Sequence, residues 1–85
     1  MNGTQRTKAR KALDRARKAT EGNAGLARAI SKETGKPITR QAVSAWEVTP
    51  PGRALVVSRI TGIPSHELRP DYYPIELPQE YDGPA

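Results

Sequence analysis

The chain has 85 residues, no cysteine, one histidine and a formal net charge of +5. That length supports one small domain with a thin core, and the lack of cysteine removes disulfides and thiolate metal sites as reinforcement. No apolar run reaches the length of a membrane span and no signal-peptide pattern opens the chain. The expectation is therefore a soluble cytoplasmic protein with no membrane contact, no metal and no cofactor.

The charge is unevenly placed. Residues 1–69 hold all 14 Lys and Arg and five of the nine acids, a net of +9; residues 70–85 hold the other four acids and no base, a net of −4. A small basic body predicts a polyanionic partner, with nucleic acid ahead of an anionic membrane surface.

Residues 1–5 are polar and read as a flexible N-terminus. Residues 6–20 are rich in Ala, Lys and Arg, all good helix formers. Ala9, Ala12, Leu13, Ala16 and Ala19 give this first helix a narrow apolar stripe, surrounded by basic residues that read as a solvated face or a phosphate-facing flank. Gly22 suits the end of that helix and Asn23 the cap of the next. In residues 24–34 the buried stripe is Leu26, Ala27 and Ile30, with Arg28, Lys32 and Glu33 outward, and Gly35 ends the helix. Pro37 disfavours helix at Lys36, so an extended connector follows, and Ile38 is placed to pack near Val43.

Residues 39–48 are the stretch around which the rest is arranged. Thr39 is an N-cap residue, while Ala42, Val43 and Trp46 share one helical face. Arg40, Gln41, Ser44 and Ala45 fall on the other. Arg and Gln are the side chains able to make two hydrogen bonds to guanine or adenine edges in the major groove, and a small Ala permits close approach or contact with a thymine methyl. These four are the candidate base-reading residues. Asn23, Lys36, Thr39 and Arg53 are candidate phosphate contacts, Asn23 because a helix N-terminus attracts anions. Trp46 reads as core through its spacing with Val43 rather than as a stacking platform.

Pro50 and Pro51 break the chain and open a fourth helix running to about Thr61, with Ala54, Leu55, Val57 and Ile60 closing over Trp46 and Gly62 ending it. The expected core is Leu13, Leu26, Ile30, Val43, Trp46, Val57 and Ile60. Ser65 caps one further short turn, and Glu67 and Arg69 tie it to the body. Beyond it, residues 74–85 read as an extended, acidic, Pro-rich tail.

Three strings are familiar together: Gly22-Asn23-Ala24-Gly25-Leu26-Ala27-Arg28-Ala29-Ile30, then Gln41-Ala42-Val43-Ser44-Ala45-Trp46, then His66-Glu67-Leu68-Arg69-Pro70-Asp71. They resemble the Cro/YdaS-like family, small helix-turn-helix proteins of phages and prophage regions that act as Cro-type repressors or antitoxin-like regulators. The resemblance covers about residues 10–74. Two features differ from the family pattern: the connector through Ser31–Pro37 is several residues longer, and Asn23 stands where Gln is common. The resemblance implies an all-α, four- to five-helix bundle of the lambda-repressor-like helix-turn-helix type over residues 6–73, followed by the acidic tail. It also implies a transcriptional regulator, expected to be a phage- or prophage-encoded repressor that binds double-stranded DNA in a bacterial cell, as a homodimer at least on DNA. The alternative is an antitoxin-like or phage-encoded module acting on a protein partner through residues 72–81. No enzyme is expected, since the chain lacks Cys, has a single His and shows no carboxylate pair or Gly-rich phosphate loop.

Overall fold

The first helix starts earlier than its Ala, Lys and Arg content predicts. In the computed structural model, which describes residues 1–73, α1 spans Gly3–Ala19. The Asn2 side chain accepts from the Gln5 amide at 2.8 Å and the Gln5 side chain accepts from the Asn2 amide at 3.0 Å, a reciprocal capping box. Such a cap satisfies two orphan amides and is worth about 1 kcal/mol. Residues 3–5 are thus helical, a correction to the flexible N-terminus assigned to 1–5. Ala9, Ala12, Leu13 and Ala16 are buried as expected, whereas Ala19, the last helical residue, is exposed because the chain turns away there.

Four further helices follow: α2 (Gly22–Thr34), α3 (Arg40–Ser44), α4 (Pro51–Thr61) and α5 (Ser65–Leu68); no strand occurs among the described residues. The turn into α2 corrects a second expectation. Asn23 is not the cap but lies in the first helical turn, and the cap position belongs to Glu21, whose side chain makes no capping bond. The backbone itself makes the corner, with φ of 68° at Glu21 and 92° at Gly22. The left-handed region costs a residue with a Cβ roughly 1–2 kcal/mol. Gly25 then lies so close to the preceding corner that a Cβ would fall 1.5 Å from the Thr20 carbonyl oxygen. Only glycine fits there.

Gly35 ends α2 in the left-handed conformation, φ 73°. The connector beyond it is fixed by two hydroxyls of α2. Ser31 Oγ donates to the Ala27 carbonyl at 2.8 Å and accepts from the Ile38 amide at 2.9 Å. Thr34 Oγ1 donates to the Ile30 carbonyl and accepts from the Lys36 amide. The long connector is therefore a strap tied to α2 at the Lys36 and Ile38 backbone.

Leu13, Leu26, Ile30, Val43, Val57 and Leu68 are fully buried, joined by Ala54 and Ile63, with Ile38, Trp46, Ile60 and Tyr73 packed at the margin. Trp46 and Ile60 are thus rim rather than centre. Leu55, expected inside, is 51% exposed, because α4 turns its Ala54 and Val57 face inward. At α5, Ser65 is the first helical residue and not a side-chain cap; Pro64 holds the cap position and supplies the rigid entry. Arg15 on α1 donates to Glu67 at 2.6 Å and Arg69 to Asp71 at 2.6 Å. That hydrogen bond from Arg69 holds the Asp71 carboxyl below the usual carboxylate range against the opposing effect of desolvation. Tyr72 is exposed, with Arg69 over its ring at 5.5 Å, while Tyr73 packs on the core. The expected acidic tail, 74–85, lies outside the described residues.

Two substitutions test this packing. Gly25→Ala must displace α2 from the Thr20 corner and is expected to lower the unfolding free energy by about 3 kcal/mol, read in urea. Thr49 is fully buried and its hydroxyl has no hydrogen-bond partner. Thr49→Val keeps the branched shape and removes the orphan, so a gain of about 1 kcal/mol is expected; a loss would mean the hydroxyl is satisfied in solution.

Candidate nucleic-acid interface

The helix expected over 39–48 is only five residues long in regular form, Arg40–Ser44. A helix so short does not hold itself in water. Its placement comes from three outside ties. Thr39 is the N-cap as expected, its hydroxyl accepting from the Ala42 amide at 3.1 Å. Val43 is fully buried among residues of the other helices, worth about 2 kcal/mol. The third tie is Arg17 of α1, whose Nη2 donates to the Val43 carbonyl at 2.8 Å and the Trp46 carbonyl at 3.0 Å.

The Arg17 side chain is 22% exposed. A guanidinium on the last carbonyls of a helix satisfies groups the helix leaves open and complements its dipole. It also explains the early end of α3. With the Val43 carbonyl shared between Arg17 and the Trp46 amide at 3.1 Å, the chain tightens into a turn and Trp46 leaves the helix. Arg6 and Arg10 flank Glu47 just beyond, at 3.3 and 3.8 Å. Those pairs are about half exposed and contribute little each. The α1 face expected to be solvated or phosphate-facing is in part the support of α3. Arg17 follows Leu13 by four residues, and that spacing is the sequence signal for its inward role.

Held this way, α3 buries Val43, half-buries Ala42 and leaves Arg40, Gln41, Ser44 and Ala45 exposed. The four line one open cleft of about 660 Å³ together with Glu21, Asn23 and Ala24 from the start of α2. Arg40 has no ion-pair partner among the described residues, so its fork is available. Asn23 joins the cleft with its Oδ1 buried and unpartnered; its amide NH₂, a donor, is left as the accessible end, the type an anion requires. The other candidate phosphate residues are spread outside the cleft. Lys36 is exposed on the strap, Arg53 is half-buried in the first turn of α4, and Thr39 has committed its oxygen to the cap while keeping a hydroxyl proton to donate.

Sequence reasoning missed Arg17, the Ser31 hydroxyl and Glu21. No protein-family model matches the chain, and no curated protein or solved structure matches it significantly.

The tie from Arg17 predicts a local effect. Arg17→Met keeps the packing stem but removes both carbonyl bonds, and a loss of about 2 kcal/mol is expected. Amide exchange at Ala45 and Trp46 should accelerate ahead of global unfolding. Unchanged exchange at those two amides would show that α3 is held by its buried face alone.

Proposed function

We propose that this chain is a sequence-specific double-stranded DNA-binding transcriptional regulator in which α2, the strap and α3 act as a helix-turn-helix. The observation that carries the reading is the cleft: Arg40, Gln41, Ser44 and Ala45 stand exposed on one side of a short, externally tied helix, beside the N-terminus of α2. In this mechanism α3 enters the major groove and α2 crosses the backbone. Arg40 offers paired donors to guanine O6 and N7, Gln41 a donor and an acceptor to adenine, Ser44 a single hydrogen bond, and Ala45 a methyl-sized contact. Asn23 places its amide and the α2 N-terminus at a phosphate. Lys36, Thr39 and Arg53 reach neighbouring phosphates, fixing register without reading sequence.

The basic body supports the same partner by supplying the sequence-independent part of the affinity. A single module of this size buries about 600–1,000 Å² on DNA. Two copies on a pseudo-palindrome, with half-sites about 34–36 Å apart, would give the affinity an operator requires. The finer reading, a Cro-like repressor of phage or prophage type working in the bacterial cytoplasm, rests on the resemblance of the three residue strings. No helix among the described residues is long and apolar enough to cross a membrane.

In-vitro selection from random duplexes at two salt concentrations tests the proposal. A pseudo-palindromic consensus is expected, with affinity falling about 10³-fold from 50 to 200 mM salt if six phosphates are engaged. Arg40→Ala or Gln41→Ala should relax preference at one base pair by about 1–3 kcal/mol and leave the others intact. Salt-sensitive binding without any consensus would reduce the protein to a charge-driven binder.

A further inference from the structure

Glu21 stands apart from every other acid of the described residues. Asp14, Glu33, Glu47, Glu67 and Asp71 each sit in an ion pair with an arginine. Glu21 has none among the described residues, in a chain with 14 Lys and Arg. It is also the only non-glycine residue there with positive φ, at 68°. And it is the only acid lining the cleft that holds Arg40, Gln41 and Ser44. A strained backbone, an unpaired carboxylate and the proposed binding cleft coincide at one residue; strain of this kind persists only where the surrounding structure over-determines it, and it clusters at functional sites.

We propose that Glu21 is a specificity-determining residue whose carboxylate opposes phosphate contact at the α2 edge of the cleft and so suppresses sequence-independent binding to duplex DNA. The inference rests on the DNA-binding reading of that cleft. Its physics is the difference between two complexes. A non-specific complex is held almost wholly by cation–phosphate attraction, so a fixed negative charge at the backbone-facing corner weakens it in every register. In an operator complex the base contacts of Arg40 and Gln41 fix a single register, in which the carboxylate is held clear of the phosphates and the repulsion is relieved. The protein is thereby released from the large excess of non-cognate sites that would otherwise sequester it. The left-handed conformation of Glu21 serves this arrangement. Glycine would make the same corner without strain, but it would carry no charge.

The test is equilibrium binding of the full chain to a selected operator duplex and an unrelated duplex across a salt series, for wild type, Glu21→Gln and Glu21→Gly. Glu21→Gln, which removes only the charge, is expected to bind the unrelated duplex about fivefold more tightly at low salt, with a salt slope steeper by about 1, while operator affinity changes by less than about twofold and base preferences stay unchanged; an equal gain on both duplexes would overturn the proposal. Glu21→Gly should show the same gain in binding and also melt about 4 °C higher, because it relieves the backbone. Unchanged affinity and slope for Glu21→Gln would overturn the proposal by placing the carboxylate away from phosphate. A changed preference at a single base pair would also overturn it, making Glu21 a reader of a cytosine amino group. Wild-type protein that binds neither duplex at any salt would instead sink the reading of the cleft itself, and the melting shift of Glu21→Gly would still report on the strain.

Discussion

One guanidinium determines where the exposed face of α3 points. Arg17 reaches from α1 to the Val43 carbonyl in the last turn of a five-residue helix and to the Trp46 carbonyl just beyond it, and these bonds bear on both where α3 stops and how it is rotated. Without them, the angle of α3 would rest on Val43 in the core and on Ile38 and Trp46 at its margin. Thr39 defines the other end by capping the Ala42 amide. Two ends and one buried point define a rigid body, and the proposed base-reading role needs that rigidity more than it needs helix length.

The same arrangement divides the cations of α1 by role. Arg6 and Arg10 hold Glu47 at the exit of α3, Arg15 holds Glu67 of α5, and Arg17 is partly buried at the centre. These arginines are paired within the fold, and the unpaired charge of α1 among the described residues lies on its lysines, Lys8, Lys11 and Lys18. Salt therefore acts on two populations. Exposed pairs and free lysines are screened within a Debye length, whereas the part-buried Arg17 bonds to neutral carbonyls are screened much less. The placement of α3 should therefore survive ionic strengths that screen the exposed pairs.

Much of the helical order was legible in the sequence because helix ends are local events. Gly35 and Gly62 stop their helices through the left-handed conformation that glycine takes freely, and Thr39 caps through its own hydroxyl. The Asn2–Gln5 box is less legible because Asn stands where the usual box has a Ser or Thr hydroxyl. The inward role of Arg17 and the exposure of Leu55 depend on where a neighbouring helix lies, and one sequence does not carry that information. The corner at Glu21 was hidden for a different reason. Its conformation goes against the intrinsic preference of the residue, so propensity pointed one step along, to Gly22 and Asn23. The four exposed side chains of α3 were legible from helical phase alone, but their meeting with Glu21 and Asn23 in one cleft belongs to the packing of α2 on α3.

Compromises in local stability gather where α1, α2 and α3 meet. Glu21 holds a strained backbone, the Asn23 Oδ1 is buried without a partner, and the Arg17 Nε is likewise unsatisfied. Each feature costs free energy, and a sequence selected for stability alone would remove them with Gly at 21 and a smaller apolar residue at 23. Thr49, the remaining orphan, lies outside the cleft lining and has no comparable account. The three at the junction share one: they keep a donor amide, a free carboxylate and a tied helix end around a single opening. Under the proposed function, a surface that reads a charged polymer needs attraction, repulsion and rigidity within a few side chains of one another. In a core this small, such a grouping leaves little room to satisfy every polar atom as well.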